Sequence, residues 1–327
     1  MAHKSLLRSF NGKQGNKLAK LQRVLQPVVV VPFVALVWLL SMGRVLAQTD
    51  STLVIPIIDA PKFVPPPAVN ILTETRWTAV LDEDAQIEFA TIRATRNPAL
   101  PPDVANTAQL ETLPDHVVFC SLHNNEQTGV RQALNFLAAY GGVFIILKND
   151  NTRNISLRHD KHKYTFDPNR MFTPEGLGKS VAAFSKKRSE NVEAFVLRMS
   201  ARFIDSLLPP TFPHRAVVAV HNNTDGDYCI LQYLPEAKYA AETADIYVDT
   251  DQDPDDFFIV TQRTTFEMLK AACFNVMLQR VPASDNDGSL SYFSTLRQIE
   301  YINIEAEHQH DEQQFRMLEA VRRIYLH

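Results

Sequence analysis

The chain is 327 residues long, 45% hydrophobic, 21% charged and 9% aromatic, the make-up of a globular protein with a full-sized core, which excludes disorder and collagen-like structure. Its net charge of −4 hides an asymmetry, because Lys4, Arg8, Lys13, Lys17, Lys20, Arg23 and Arg44 put seven positive charges and no acids into the first 47 residues. The remaining 280 residues hold 26 Lys and Arg against 37 Asp and Glu, an acidic body that excludes nucleic acid as a partner, since phosphate-backbone affinity comes from clustered cations.

The basic leader runs into Pro27–Met42, PVVVVPFVALVWLLSM, an uncharged apolar stretch of 16 residues, and then Val45-Leu46-Ala47 before Gln48. An n-region, an h-region and a small-residue cleavage site predict a signal peptide over 1–47 and a periplasmic or secreted product. The alternative is an uncleaved anchor, the one case in which a membrane is a partner. Prolines 56, 61, 65, 66 and 67 predict an extended tether over 48–69. The third segment, 70–327, is expected to be the folded domain. Cys120, Cys229 and Cys273 are odd in number and irregularly spaced, so they form neither a disulfide framework nor a metal site.

In the folded part, His116–Ser121, Val143–Leu147, Ala216–Val220, Tyr228–Tyr233 and Phe257–Thr261 are dense in β-branched and aromatic residues and read as buried strands. Val130, Ala133, Leu134 and Leu137 mark one helical face ended by Gly141-Gly142, and Val192, Phe195, Val196, Met199 and Phe203 mark a longer one. Phe266–Leu278 and His310–Leu326 are two further helix candidates. Strands alternating with helices predict an α/β fold with a mixed, largely parallel central sheet covered by helices on both faces.

Sites in such sheets form beyond the carboxyl ends of strands. HVVFCSL runs into His123-Asn124-Asn125-Glu126, and AVVAV into His221-Asn222-Asn223-Thr224. His123 and Glu126 are three apart at a strand-to-helix junction and His221 arrives from another strand end; two imidazoles and a carboxylate leave an open position for water on a zinc ion. An HxxE alone is more often a cap or a satisfied core pair, so the second strand-end histidine carries the weight. Arg170, in Phe166-Asp167-Pro168-Asn169-Arg170, offers a bidentate partner for a substrate carboxylate. Glu305 ends the apolar run Tyr301–Glu305, where a general base is wanted.

The segment His123–Gly129, HNNEQTG, resembles the HxNExTG zinc motif of the succinylglutamate desuccinylase and aspartoacylase family, a branch of the zinc carboxypeptidase superfamily. Asp167–Phe172 resembles its DLNRxF segment, His221–Thr224 its HNTT segment and Ile304–Ala306 its VEVG segment, all in family order. The resemblance implies a mixed α/β zinc hydrolase in which His123, Glu126 and His221 bind Zn2+, Glu305 is base and proton shuttle, and Asn169 and Arg170 engage the substrate's carboxylate. The developing oxyanion needs a positive group; Arg158 is the first candidate and Arg153 the second, because both precede the Arg170 element. Pro168 in place of the family's Leu, and Ala306-Glu307-His308 in place of Val-Gly, depart from the pattern.

The expected activity is therefore that of an exported zinc-dependent amide hydrolase, a carboxypeptidase or N-acyl-amino-acid deacylase, on a small peptide or acyl amino acid with a free carboxylate. The alternative is a non-catalytic ligand-binding protein on the same fold, for which a base such as Glu305 has no use. Glu307, His308 and His310 are expected at the rim of the site. His159 and His162 read as exposed loop histidines. Asp249, Asp251, Asp253, Asp255 and Asp256 resemble the opening of a calcium loop, but Pro254 and Val260 stand where an EF-hand needs Gly and Glu, so an acidic surface loop is expected there.

Overall fold

The computed structural model describes residues 63–99, 117–208, 216–281 and 285–326. The leader, and the tether as far as residue 62, lie outside the described residues. Among the described residues the first regular element is a long hairpin of β1 (Asn70–Asp82) and β2 (Ala85–Arg96). The alternation that follows is β3 (Val117–Ser121), α1 (Gln127–Tyr140), β4 (Val143–Lys148), the hairpin β5 (Ile155–His159) and β6 (His162–Phe166), α2 (Pro174–Phe184), α3 (Glu190–Leu207) and β7 (Ala216–Asn223). After it come β8 (Thr243–Tyr247), β9 (Phe257–Val260), α4 (Arg263–Ala271), β10 (Val276–Gln279), α5 (Leu290–Leu296), β11 (Glu300–Glu307) and α6 (Asp311–Leu326).

Nine strands form one sheet in the order β1-β2-β4-β3-β7-β11-β9-β10-β8. Its centre, β4-β3-β7-β11, is parallel, while β2 meets β4 and β9 meets β11 antiparallel. Side chains on a strand alternate between faces, and the core divides accordingly. Val118, Cys120, Val217 and Ala219 pack with α2 and α3 through Leu177, Val181, Phe195 and Phe203. Phe119, Val218, Val220, Ile302 and Ile304 pack with α1, α4 and α6 through Phe136, Phe266 and Phe315. The fold is thus the expected mixed α/β sheet with helices on both faces.

Local signals account for the helix ends. Ser189 caps α3 by accepting from the Val192 N–H, and Glu190 and Glu193 sit in its first turn, where the helix dipole favours acids. Gly141, at φ 82°, and Gly142, at φ 117°, end α1 in a backbone region that costs most other residues energy.

Two expectations are corrected. The helix expected over Phe266–Leu278 stops at Ala271: Cys273 turns the chain at φ 60°, and Val276–Gln279 becomes β10 between β9 and β8. The strand expected over Tyr228–Tyr233 is instead a 3-10 turn, Ile230–Tyr233. Its buried Ile230 and Tyr233 are three apart, the spacing that eclipses side chains in such a turn, and they pack with Phe257. Among the described residues no helix is long and apolar enough to cross a membrane.

The turn that enters α5 has no room for a side chain. A Cβ on Gly288, whose φ is +73°, would lie 2.6 Å from the Gly176 Cα and 2.7 Å from the Arg170 carbonyl oxygen, whereas one on Gly226, at φ +68°, would meet nothing within 4 Å. Gly226→Ala is expected to cost only the backbone term, about 1–2 kcal/mol. Gly288→Ala adds overpacking of about 1–3 kcal/mol. Thermal unfolding of the two variants checks the order, and equal losses would refute it.

Candidate metal centre and active site

The first two candidate ligands share one turn. The chain leaves β3, the Glu126 N–H donates to the His123 carbonyl at 3.1 Å, and α1 begins at the next residue. His123 and Glu126 are therefore presented together, each 1% exposed. His221 lies inside β7, two residues before its end, and is 4% exposed. Glu305 reaches the same place by strand pairing, since β11 runs parallel to β7 with Glu305 the direct partner of His221.

The ligand atoms of His123, Glu126 and His221 lie within 4.8 Å of one another. His123 Nδ1 is 3.3 Å from His221 Nδ1. The two Glu126 oxygens lie 2.9 Å and 2.8 Å from those nitrogens. An ion with bonds of about 2.0–2.1 Å at tetrahedral angles spaces its ligand atoms roughly 3.3–3.4 Å apart, so the imidazole pair already stands at the edge length such an ion requires. His123 Nε2 meets Asp167 Oδ1 at 2.8 Å. That bond orients the ring and turns Nδ1 inward, as carboxylates do for metal-binding histidines. The donor set thus fits a metal ion.

The buried charges of the group act on one another. Burial by itself would depress the His123 pKa, but Glu126 and Asp167 raise it to about 9. Burial would raise Glu126, yet His123 and His221 hold it well below the carboxylate range. Asp167 is likewise held down against its burial by His123, with Arg153 and Arg170 adding to the effect. Glu305 behaves oppositely: burial, and the nearby Glu126 charge, raise its pKa. It accepts one hydrogen bond, from Asn303 Nδ2 at 2.9 Å.

The group opens onto a cavity of about 580 Å³ that is also lined by Arg153, Asn169, Arg170 and Glu305. Of the two oxyanion candidates, Arg153 lines the cavity and Arg158 does not. Arg158 sits exposed on β5 opposite Lys163. Arg153 has Nη1 2.7 Å from Glu126 and its side chain 51% exposed. Asn124, in the turn between His123 and Glu126, holds the loop that carries Arg153 by accepting from the N–H groups of Asn149 and Asn151.

Asn169 ties the Asp167–Arg170 segment to α5 by accepting from the Leu290 N–H at 3.0 Å. Arg170 is less isolated than a bare clamp, pairing with Asp287 at 3.3 Å with 38% of its side chain exposed. Asp285, Asp287 and Glu242 line the same part of the cavity. Burial, and then the Asp287 charge, raise the Glu242 pKa.

Two contributors were invisible as roles in the sequence. Asp167 stood in the Arg170 segment without its histidine contact. Asn222 joins four elements: its Oδ1 accepts from the Gly129 N–H at 2.7 Å, and its Nδ2 donates to the Ala306 carbonyl and Gln314 Oε1. The only sequence signal for it was its place beside His221. Of the rim residues, His308 lines the cavity, while His310 pairs with Asp256 at 2.9 Å. His159 is bound by Asp82 and His162 by Lys187, so neither enters the site.

No family model matches the chain, and no curated protein matches it. Among solved structures it is similar to the succinylglutamate desuccinylase of Chromobacterium violaceum, at 14% identity over 77% of this chain and 70% of that one, TM-score 0.38. It is also similar to a variant of the cell shape determinant protein Csd4 of Helicobacter pylori, at 16% identity over 63% and 48%, TM-score 0.36, and to the murein-tripeptide amidase MpaA of Escherichia coli O157, at 9% over 66% and 84%, TM-score 0.35. The chain spans about half the length of the Csd4 chain. Overlap at this level assigns no residue a role.

The Asp167 contact yields a direct expectation. Asp167→Asn keeps an acceptor for the Asn169 N–H that Asp167 now caps but removes the charge behind His123. Metal affinity should fall roughly 10–100-fold with folding retained, measured by competition with a chromophoric chelator. Unchanged affinity would reduce Asp167 to a turn residue.

Proposed function

We propose that the chain is a zinc-dependent amide hydrolase, a carboxypeptidase or N-acyl-amino-acid deacylase, acting on a small peptide or acyl amino acid with a free carboxylate. One observation carries this reading: His123, Glu126, His221 and Glu305, all at least nine-tenths buried, converge on one cavity. Two imidazoles and a carboxylate are the ligand set of catalytic zinc, and a binding module has no use for a second buried carboxylate that is poorly paired.

Zinc, when bound by His123, Glu126 and His221, would supply acidification of a water and polarisation of the scissile carbonyl. Glu305 then takes the proton from the attacking water and returns it to the leaving amine, for which a carboxylate raised toward the operating pH is better matched than an ordinary one. Arg153 presents its guanidinium to the carbonyl oxygen as negative charge develops there. Asn169 and Arg170 hold the substrate's carboxylate. An exposed pair such as Arg170–Asp287 is worth on the order of 0.2–1 kcal/mol, so a carboxylate arriving in bidentate geometry can displace Asp287.

Glu305→Gln should retain one equivalent of zinc and lose activity on the order of 10²-fold or more, by metal analysis and turnover on the same sample. Loss of zinc from a folded Glu305→Gln protein would make Glu305 a ligand and overturn these roles. The sign of its pKa adds a stability test. A folded pKa above the unfolded value means the ionised form is penalised in the folded state, with the penalty absent below the unfolded pKa and fully present above the folded one. Metal-free Glu305→Gln should therefore gain in Tm over the wild type at pH 8 and gain less at pH 4.

At the recognition end, Asp287→Asn keeps the acceptor for the Ser289 N–H while releasing Arg170. It should lower KM for a peptide with a free C-terminus and leave the amidated peptide unchanged. Arg170→Lys should erase the difference between the two peptides. Equal hydrolysis of both by the wild type would remove Arg170 from substrate binding.

A further inference from the structure

The acidic segment is a surface loop only in part: Asp251 and Asp253 are exposed, as expected, but the last two acids are not. Asp255 is 2% exposed and Asp256 5% exposed. Asp256 is satisfied: its Oδ1 accepts from the Glu307 N–H and its Oδ2 from His310 Nδ1, each at 2.9 Å. Asp255 is not. Its Oδ2 accepts from the Gly226 N–H at 2.6 Å, but its Oδ1 is buried without a hydrogen-bond partner.

Strand register explains what this carboxylate faces. Glu307 pairs with Asn223 across β7, and the antiparallel run of β11 on β9, continued two residues past Glu305 and Phe257, brings Asp255 opposite Glu307. Asp225 follows two residues after the end of β7. Oxygens of Asp225, Asp255 and Glu307 lie within 4.8 Å of one another. Among the described residues no lysine or arginine forms an ion pair with any of the three; Glu307 has His310 at 3.5 Å. Burial, and then the charges of Asp253, Asp225 and Glu307, push the Asp255 carboxyl up to about 6.

We propose that Asp225, Asp255 and Glu307 form a second metal site, distinct from the histidine centre, that takes a hard divalent cation of the calcium class. The donors are all oxygen, which selects calcium over zinc. Calcium bonds of about 2.3–2.6 Å reach oxygens up to roughly 5 Å apart on opposite sides of the ion. Two of the three donors come from strand-end loops, which suits calcium's loose geometry better than the strict octahedron of magnesium. The unpartnered oxygen of Asp255 is the observation that separates this cluster from an ordinary acidic patch. Glu307 lies two residues beyond Glu305 on the same strand face, so the cation ties the ends of β7, β9 and β11 together directly beside the catalytic residues. The hydrolase reading is not needed for this site.

Thermal unfolding of the full zinc-loaded chain with added calcium chloride tests it. Three carboxylates, two of them on loops, place the dissociation constant on the order of 10⁻⁴–10⁻³ M, and calcium at ten times that value should raise Tm by roughly 3–6 °C. Asp225→Asn, at an exposed residue, should not lower the calcium-free Tm, because it relieves the repulsion on Asp255, and should abolish the rise, and Asp255→Asn should abolish it too. His123→Ala, which removes a zinc ligand, should keep the full rise. A wild-type Tm insensitive to calcium up to about 10 mM, a full rise in Asp225→Asn, or its loss in His123→Ala would each overturn the proposal.

Discussion

The in-register parallel pairing of β11 on β7 is the constraint on which both candidate sites depend. It sets Glu305 beside His221 and, one pleat further on, Glu307 beside Asn223. Because side chains alternate, a one-residue slip would turn Glu305 into the layer now filled by Ile302, Ile304 and Ala306. An ionised carboxylate there would cost several kcal/mol after relaxation, roughly the stability margin of a domain. The apolar residues of β11 thus hold the register, and the polar ones are placed by it. Asn222 reinforces the arrangement from β7 by bonding to β11, α1 and α6.

The buried charges at the carboxyl edge show the same economy. Glu126 is removed from water and kept ionised by His123, His221 and Arg153, and His123 is oriented from behind by Asp167. Each member would be expensive alone; as a set they satisfy one another while leaving their inner atoms facing one point. Among the described residues His221 Nε2 has no hydrogen-bond partner, so the hydrogen bonding of this ring is all on its Nδ1 side. Glu305 stands outside the mutual pairing, and burial, with the Glu126 charge adding to it, raises its pKa.

The parts legible in the sequence were those in which one residue type has one physical use. Fully apolar runs gave β3, β4, β7 and β9, and apolar residues at helical spacing gave α1, α3 and α6, because burial on both sheet faces leaves no room for polar residues. The hairpin of β1 and β2 was not legible: β1 is largely exposed and carries Glu74, Arg76 and several threonines, so it lacks the alternation of a half-buried strand. β10 was merged into a helix because Phe274 to Leu278 is too short a run for its period to decide. At the site, the strand-end histidines pointed to the centre, but Asp167 and Arg153 are defined by contacts across 44 and 27 residues of chain, which spacing cannot express. Asp255 and Asp256 were misjudged for a related reason, since an acidic run reads as solvated until neighbouring strands are known to cover it.

The two ends of the cavity differ in how firmly they are built, and that difference separates the chemistry from the substrate. His123, Glu126, His221 and Glu305 are 1–7% exposed and sit on strands or on the first turn after one, positions that packing holds rigid. Arg153 and Arg170 are 51% and 38% exposed, and both lie on connecting segments. Asp287, the present partner of Arg170, comes from yet another loop, in which Gly288 is jammed against Gly176 and the Arg170 carbonyl. Loops tolerate substitution where strands do not, so the buried group can stay fixed while residues such as Asp285, Asp287 and Glu242 change. That part of the cavity holds three carboxylates near the Arg170 guanidinium, a balance that on the proposed function would favour a substrate whose carboxylate is accompanied by a positive charge over a simple dianion. On the proposed function, discrimination between a peptide and an acyl amino acid would therefore rest on these loops, and the reaction on the sheet.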